Sequence, residues 1–444
     1  MGAMRSLPLL LLLLMLAIPP SLYSDALPLI EVWVEDAAAK QVALSDELMA
    51  YLSENGTLTI LSDQGKYKME SSGGRLVAGR DVFLQREGTL YLVTEAGLRR
   101  IMDCNGCSFF PYSEDKIAIV DSRGLLLILN GEKRRLQVKG IVRWSDDGQR
   151  LSIIAGDELL VVNTSGFILW RKDLNTQLFD VEPDDLTYVC MKGCEIYAIN
   201  DKSFVTWTSR LCKCCIPGKL DRTESYLLVL VQGRELVVLN ASDGRKMQSM
   251  RLGGYEIDAI LGIVAVRDGE GRIHMIVDAD RLHIRGESGG ILVSWDVPGW
   301  FRLGNLTMEH PWGKATISVG ENRFVPIPKD GEINVTFRGI SGEFSSNVIV
   351  GPLNVTVTPF GDVNISGDGS FEVEVDGKRY VPPARVDTGW LPIYSVRVYN
   401  HGVKVAELDS VNAKFLLLAF AFASAIVVLR GLRARSSGGE KVLD

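Results

Sequence analysis

Histidine is scarce in this chain of 444 residues, which contains only four: His274, His283, His310 and His401. The hydrolase motif G-x-S-x-G, the metalloprotease motif H-E-x-x-H and a phosphate-binding loop are all missing. His274 and His283 fall on successive predicted strands and could face each other, but no carboxylate set accompanies them, which favours a structural role. We therefore predict no catalytic, cofactor-binding or metal-binding residue.

A surplus of positive charge is also missing, because the formal net charge is −7. Surfaces that bind nucleic acid neutralise phosphates with lysine and arginine, so no nucleic-acid partner is expected. Hydrophobic residues make up 46% of the chain and charged residues 23%, which is typical of globular protein. The length favours more than one domain.

Long apolar runs occur only near the two ends. Residues 7–18 follow Arg5 and precede Pro19 and Pro20, so residues 1–26 are predicted to be a signal peptide, with an uncleaved anchor as the alternative. Residues 415–429 lack charge and would form roughly 22 Å of helix. Flanking basic side chains can reach the headgroups, so residues 411–430 are predicted to cross a membrane. Basic residues just after this run place the tail, residues 431–444, in the cytoplasm and the N-terminal region outside the cell.

Glycosylation sequons agree with an extracellular location. Four of the seven N-x-S/T triplets lie between residues 305 and 366, which indicates a glycan-covered region. Crowded sequons, a signal peptide and a single anchor are typical of archaeal surface proteins or eukaryotic type I glycoproteins, and the short tail favours the archaeal group. The candidate glycosylation sites are Asn55, Asn163, Asn240, Asn305, Asn334, Asn354 and Asn364.

Pairs of short β-type runs recur around a glycine-bearing turn, as in "LMAYLSENGTLTIL" and "YLLVLVQGRELVVL". A less apolar strand such as "ILWRKDL" follows each pair, as expected for an exposed edge. Such units of 32–40 residues cannot bury both sheet faces alone, and radial packing in a β-propeller solves this problem. A β-sandwich array is the rival architecture. The turn glycines are Gly56, Gly88, Gly124, Gly156, Gly193, Gly233 and Gly271.

The predicted fold is all-β: a seven- or eight-bladed β-propeller over residues 27–299, with seven blades favoured. Two flanking runs, "LIEVWVED" and "ILVSWDV", could close the ring or form a partial eighth blade. Residues 300–410 alternate apolar and polar positions in short strands with Gly and Pro turns, which predicts an Ig-like β-sandwich stalk. The hallmark Ig cysteines are missing, since no cysteine lies beyond Cys215.

The stretch "VVNTSGFILWRKDL" carries Asn163, Gly166 and Trp170 after an apolar strand. It resembles the repeat of quinoprotein-type and WD40-like propellers, in which the turn glycine and the tryptophan lock adjacent blades. The resemblance spans residues 30–298, and with the anchor it extends to membrane-anchored archaeal cell-surface propeller proteins. Other repeats keep only part of the motif, such as "YAINDKSFVTWTSRL", which has Trp207 but no glycine. The resemblance supports the fold more than an activity.

All seven cysteines are predicted on one face of the propeller, and disulfides are the default outside the cell. Cys104 and Cys107 are expected to close a local loop, and two bridges are expected near the fifth blade, with pairing left open. A zinc site drawn from four of the latter cysteines is an alternative. The candidate disulfide cysteines are Cys104, Cys107, Cys190, Cys194, Cys212, Cys214 and Cys215.

The adjacent Cys214 and Cys215 are similar to the vicinal disulfide that lies over the quinone ring in quinoprotein alcohol dehydrogenases. Those enzymes also have a calcium-binding carboxylate and a catalytic aspartate, neither of which can be assigned here. We therefore expect no quinone or calcium cofactor. Acidic stretches such as "SDDG" (residues 145–148) and "EPDD" (residues 182–185) recur where a first strand turns into the second, so they are interpreted as ordinary turn residues.

These features predict a membrane-anchored extracellular binding or scaffold protein whose propeller recognises a protein or glycan partner. One alternative is a propeller subunit that assists assembly of a membrane protein complex. A quinoprotein dehydrogenase or a propeller hydrolase is the other alternative.

Overall fold

A computed structural model of the protein describes residues 29–191, 195–211, 217–389 and 392–436. The predicted signal peptide and four of the candidate cysteines, Cys194, Cys212, Cys214 and Cys215, lie outside the described residues. From residue 39 to residue 278 the chain forms consecutive antiparallel sheets, each of which we call a blade and number in chain order.

The N-terminal strand and the first three blades occupy residues 29–136. The opening strand is β1 (Leu29–Asp36), and blade 1 consists of β2 (Ala39–Leu44), β3 (Leu48–Ser53), β4 (Thr57–Ser62) and β5 (Gly65–Glu70). Blade 2 consists of β6 (Arg75–Ala78), β7 (Val82–Arg86), β8 (Thr89–Thr94) and β9 (Gly97–Asp103). Blade 3 consists of β10 (Ser108–Ser113), β11 (Lys116–Asp121), β12 (Gly124–Leu129) and β13 (Glu132–Leu136).

Four further blades follow up to residue 278. Blade 4 consists of β14 (Ile141–Trp144), β15 (Arg150–Ala155), β16 (Glu158–Asn163) and β17 (Ile168–Asp173). Blade 5 consists of β18 (Leu178–Pro183), β19 (Thr187–Met191), β20 (Glu195–Ile199) and β21 (Val205–Arg210). Blade 6 consists of β22 (Pro217–Arg222), β23 (Tyr226–Val231), β24 (Glu235–Asn240) and β25 (Lys246–Met250). Blade 7 contains β26 (Gly254–Ile260), β27 (Ile263–Asp268) and β28 (Arg272–Asp278), and β1 supplies its fourth strand.

The first strands of the blades contact one another in order, and β26 of blade 7 contacts β2 of blade 1. The blades therefore form a closed ring around a central channel, which is the β-propeller predicted from the repeats. The second and third strands are covered on both faces, which explains their continuous apolar runs, such as Tyr226–Val231 in β23. The fourth strands of blades 1 to 5 face solvent, and β5 is accordingly exposed along almost its whole length, whereas β1 of blade 7 is mostly buried.

The N-terminal strand closes the ring, since β1 pairs antiparallel with β28 and places Leu29 opposite Asp278. The second candidate for closure, residues 291–297, was interpreted wrongly as part of the ring or of an extra blade. Its strand Gly290–Trp295 pairs instead with the strands Leu282–Glu287 and Arg323–Pro326 of the following region. Because β1 already covers the outer edge of β28, blade 7 leaves no edge there for another strand.

An aromatic contact locks blade 5 onto blade 6. The Trp207 indole donates a hydrogen bond to the carbonyl oxygen of Ala241 over 3.2 Å. Gly244, in the next blade's turn, has φ +70°, and a Cβ atom there would lie 2.4 Å from the Trp207 ring. The lock expected from the repeat motif is therefore present, but its tryptophan and glycine come from neighbouring blades.

Residues 282–411, which we call the C-terminal β-region, form four further sheets in place of the single sandwich expected for residues 300–410. The first two sheets contain β29 (Leu282–Glu287), β30 (Gly290–Trp295), β31 (Asn305–His310), β32 (Gly313–Ser318), β33 (Arg323–Pro326), β34 (Gly331–Arg338) and β35 (Glu343–Val350). The last two contain β36 (Asn354–Val357), β37 (Asp362–Ser366), β38 (Phe371–Val375), β39 (Lys378–Tyr380), β40 (Ala384–Arg385), β41 (Ile393–Asn400) and β42 (Val403–Val411). The first pair shares one hydrophobic core with blades 7 and 1, whereas the last pair encloses a separate core rich in valine.

A single long helix, α1 (Ala413–Ser436), follows β42. Its first 18 residues, Ala413–Arg430, have a mean hydropathy of 2.0, and only 6% of them are buried. The helix is therefore long and apolar enough to cross a membrane.

Candidate functional site

Charged side chains from the first strands of blades 4, 5 and 6 meet in the channel. The Arg143 guanidinium on β14 lies 2.9 Å from the Glu182 carboxylate on β18 and 3.4 Å from the Asp221 carboxylate on β22. Arg143 also donates a hydrogen bond to the carbonyl oxygen of Leu220 over 3.3 Å. One arginine thus connects three blades across the channel.

Carboxylates on the first strands of blades 5, 6 and 7 tie each of these blades to the next one. Asp180 accepts a hydrogen bond from the Leu220 amide over 2.8 Å, which joins blade 5 to blade 6. In the same way Asp221 accepts from the Ala259 amide over 3.1 Å, and Asp258 accepts from the Leu44 amide over 2.5 Å. These contacts link blades 5, 6, 7 and 1 through the edges of their first strands, whose amides would otherwise lack a partner.

Uncharged amides make the equivalent ties between blades 1, 2 and 3. Gln41 accepts a hydrogen bond from the Leu76 amide over 2.7 Å. Gln85 donates to the Cys107 carbonyl oxygen over 3.0 Å and accepts from the Phe109 amide over 3.4 Å. The ties between blades 5, 6, 7 and 1 therefore carry charge, whereas those between blades 1, 2 and 3 do not.

Burial shapes the electrostatics of the channel. It raises the pKa of Asp221 to about 7 and the pKa values of Glu182 and Asp258 well above their ordinary range, although Arg143 opposes this change. Burial lowers the pKa of Arg143, but the surrounding carboxylates outweigh it and hold that pKa well above its ordinary value. The cluster is therefore a group of carboxylates with raised pKa values around the Arg143 cation, and Lys219 of β22 also lowers the pKa of Asp258. Within the described ranges no group of three or more His, Cys, Asp or Glu side chains is arranged to hold a metal ion.

A second buried network lies where the ring closes. His274 on β28 contacts Glu31 of β1 through Nδ1 at 2.7 Å and Asp268 of β27 through Nε2 at 3.2 Å. Ser341 in the C-terminal β-region donates a hydrogen bond to the same Glu31 over 2.6 Å. The prediction that no carboxylate set accompanies His274 was thus wrong. Glu31 is distant from His274 in the sequence, so the sequence did not reveal their contact. The suggested pairing with His283 was also wrong, since His283 lies in β29 of another sheet.

The described cysteines lie on one face of the propeller. Cys104 and Cys107 form a disulfide in the link from blade 2 to blade 3, with Cα atoms 5.6 Å apart. Cys190 is buried near the end of β19, at the turn between the second and third strands of blade 5. In an antiparallel blade that turn and the links between blades share a face. The pairing expected around blade 5 stays a prediction.

The candidate glycosylation sites all lie at the surface. In the C-terminal β-region the sequons fall within strands, so that Asn305 and Asn334 are exposed while the residues after them, Leu306 and Val335, are buried. Alternation of polar and apolar positions therefore produces the N-x-S/T pattern there. Asn55, Asn354 and Asn364 are also exposed, and Asn163 and Asn240 are half-buried in turns after the third strands of blades 4 and 6.

The opposite propeller face, which we call the junction face, carries the turns between first and second strands and between third and fourth strands. The C-terminal β-region packs against it, because the Trp300 indole donates a hydrogen bond to the Ser45 carbonyl oxygen over 3.1 Å. The junction face also exposes two aromatic side chains, Phe167 in blade 4 and Phe204 in blade 5, which are 67% and 66% accessible. The first-to-second turns of blades 1 to 6 contain these acidic residues: Asp46, Glu47, Asp81, Glu114, Asp115, Asp146, Asp147, Asp184, Asp185 and Glu224.

Sequence reasoning missed Arg143, Asp221 and Asp258. The interpretation of Glu182 as an ordinary turn residue was wrong, because Glu182 lies in β18 and is 1% exposed. A signal was present, because the first strands "IVRW", "LFDVEP", "GKLDR" and "GYEIDAI" each place a charge among apolar residues. These strands are short and lack the long apolar runs on which the repeats were recognised.

Comparisons with known proteins add a likeness of fold. No family model and no curated protein sequence matches the chain. The structure is similar to BamB from Moraxella catarrhalis, with a TM-score of 0.39 and 13% identity over 53% of this chain and 84% of that one. It is also similar to BBS1N in complex with ARL6DN, with a TM-score of 0.45 and 9% identity over 57% of this chain and 97% of that one.

Proposed function

We propose that the protein is a membrane-anchored extracellular binding or scaffold protein whose propeller recognises a protein partner. The proposal is carried by a contrast between buried and exposed side chains. The channel charges are engaged in ties between blades, whereas Phe167 and Phe204 are two-thirds exposed on the junction face. A catalytic pocket needs polar groups that are available to a substrate. Exposed aromatic side chains are instead typical of protein interfaces.

The anchor in this proposal is α1, whose first 18 residues have a mean hydropathy of 2.0 and are almost fully exposed. The basic residues after this stretch would hold the tail in the cytoplasm, so that the propeller lies outside the cell. The exposed positions of five sequons support glycosylation of that outer part, and the C-terminal β-region would act as the stalk. These five sites are Asn55, Asn305, Asn334, Asn354 and Asn364.

A role in assembling a membrane protein complex is the second candidate. It is favoured by the position of the exposed aromatic residues, which lie on the face contacted by the region that leads to α1. A partner with its own membrane spans would support this role, and a soluble or carbohydrate partner would contradict it.

Native mass spectrometry of the full chain in detergent tests the proposed function. We expect a mass explained by polypeptide, disulfides, glycans and bound protein. A small molecule or metal ion released on denaturation would contradict the proposal and favour the dehydrogenase or hydrolase alternative. Protease protection of intact cells gives the topology: cleavage of the propeller from outside is expected, and protection of the propeller would refute the extracellular location.

A further inference from the structure

Blades 4 and 5 repeat the same turn on the junction face. In blade 4 the Asn163 side chain accepts a hydrogen bond from the Phe167 amide over 2.9 Å. In blade 5 Asn200 accepts from the Phe204 amide over 3.0 Å. Each turn therefore holds its phenylalanine at a fixed place, with Ile168 and Leu169 or Val205 exposed beside it. Together these five residues form what we call the apolar rim.

The apolar rim lies beside acidic turns. Arg150 of blade 4 ties the two kinds of turn together, because it donates hydrogen bonds to the Asp184 carbonyl oxygen over 3.2 Å and to the Asp201 carboxylate over 2.7 Å. Asp147 and Asp185 are exposed in the turns of the same two blades, and neither forms an ion pair with any described residue. Across blades 1 to 6 the first-to-second turns contain ten acidic side chains and a single basic one, Arg80.

The same face already binds one arginine and one tryptophan from a later segment of this chain. Arg281 forms an ion pair of 2.7 Å with Glu224 in the first-to-second turn of blade 6. Trp300 donates to the Ser45 carbonyl oxygen in the equivalent turn of blade 1. Residues 278–301 thus cover the face at blades 6, 7 and 1, and the described chain leaves it open at the apolar rim. The uncovered part of the junction face is therefore continuous with an interface in which an arginine and a tryptophan contact the first-to-second turns.

We propose that the apolar rim and the acidic turns beside it bind a basic segment of a partner protein that carries aromatic or aliphatic side chains. This inference rests on the proposed function and names its surface. The partner's apolar side chains pack on Phe167 and Phe204, and its arginines or lysines pair with Asp147 and Asp185. Anionic lipid is disfavoured as the occupant, because the acidic turns repel it.

The binding test uses the full chain in detergent and a fluorescent peptide that alternates arginine with leucine and phenylalanine. Fluorescence anisotropy gives its Kd for the natural chain and for three double variants. We expect Phe167→Ser with Phe204→Ser to weaken binding about tenfold, since aromatic anchors dominate such contacts. Asp147→Asn with Asp185→Asn should weaken it about threefold and reduce its salt dependence.

The matched control is Ile349→Ser with Phe360→Ser, which removes two exposed apolar side chains from the C-terminal β-region and should leave Kd unchanged. Equal binding by all variants would overturn the proposal. So would equal binding of a peptide with serine in place of leucine and phenylalanine, because this would indicate adsorption by charge alone. Tighter binding of a peptide with glutamate in place of arginine would refute the proposal that the partner segment is basic.

Site-specific photo-crosslinking in cells separates failure of this surface from failure of the proposed function. A photoreactive residue is placed at Phe167, at Phe204 and, as a control on the opposite face, at Ile141. A protein crosslinked at the first two positions through a basic, apolar segment is the expected result. Crosslinks from Ile141 alone would reject the rim but keep the proposed function, and no crosslink from any position would reject both. Labelled lipid or a second copy of this chain at the rim would refute the proposed occupant.

A glycan at Asn163 would cover the rim at Phe167. Ser165→Ala removes this sequon and keeps the Asn163 side chain that fixes the turn. If Ser165→Ala alone permits binding and crosslinking, the natural surface is masked and the proposal fails.

Discussion

Replacing Arg143 with methionine would remove the cation that pairs with the channel carboxylates Glu182 and Asp221 of blades 5 and 6. Removing one partner from a buried ion pair typically costs 3–5 kcal/mol, because the remaining charge keeps its desolvation penalty. Arg143 keeps 31% of its side-chain surface accessible to the channel, so water screens part of this loss. We therefore expect the free energy of unfolding at pH 8, where Asp221 is mostly ionised in the natural protein, to fall by about 3 kcal/mol.

The loss should depend on pH in a defined direction. The folded-state pKa values of Glu182, Asp221 and Asp258 lie above their unfolded values, so the folded protein binds more protons and its stability falls as pH rises toward those values. Without Arg143 the carboxylates hold their protons more tightly, which strengthens this trend. The deficit of Arg143→Met should therefore be larger at pH 8, where Asp221 is mostly ionised, than at pH 4.5, where it is protonated.

Thermal unfolding of the full chain in detergent, followed by circular dichroism at both pH values, measures this effect. Arg123→Met is the matched control, because Arg123 is 76% exposed and its pair with Asp121 is a surface contact of 3.5 Å. Glu182→Gln in the Arg143→Met background should recover part of the lost stability. Equal Tm shifts for Arg143→Met and Arg123→Met, or a deficit that is the same at both pH values, would refute the reasoning.

Three further predictions concern the ring. Gly244→Ala should lower the free energy of unfolding by about 2–4 kcal/mol, because it adds left-handed backbone strain and an overlap with the Trp207 ring. Gly253→Ala controls for the backbone strain, since a Cβ atom there meets no neighbour. Equal losses of stability for the two variants in urea unfolding would contradict the contact between Trp207 and Gly244. The pKa of His274 is raised and the pKa values of Glu31 and Asp268 are lowered, so this network should stabilise the protein most between about pH 4.5 and 6.5. The stabilisation should be lost above the raised histidine pKa and below the lowered acidic pKa values. An unchanged dependence of Tm on pH in His274→Gln would exclude this role. Cys104→Ser with Cys107→Ser should cost about 2 kcal/mol, because the bridge closes a loop of only a few residues; a shift of Tm as large as that of Arg143→Met would show that the disulfide does more.

The repeats made the propeller predictable because the second and third strands of each blade are buried on both faces. Strands such as β23 and β24 then read as paired apolar runs around a turn that needs glycine, for example Gly233 at φ +68°. First strands such as β14 have only four residues and carry a channel charge, so the apolar pattern is interrupted. They were found only in the structure.

One contact and one boundary show why long-range features could not be predicted from the sequence. Glu31 and His274 are 243 positions apart and meet only because β1 crosses to the last blade. The C-terminal β-region begins at Leu282 because β1, and no later strand, completes blade 7. Closure of a ring is a property of the whole chain, so local composition around residues 282–297 could not assign these strands to the correct sheet.

The buried charges of the channel and the exposed aromatic side chains of the junction face differ in how easily a ligand could bind to them. In the channel, Arg143 and the carboxylates contact neighbouring blades, so a ligand that competed for them would weaken the ring as it bound. On the junction face, Phe167 and Phe204 are held by asparagine-capped turns whose hydrogen bonds do not involve the phenylalanine rings. A partner can therefore cover those rings without breaking any contact that closes the propeller. Binding at the junction face costs the fold less than binding in the channel, and this difference favours the face as the functional surface.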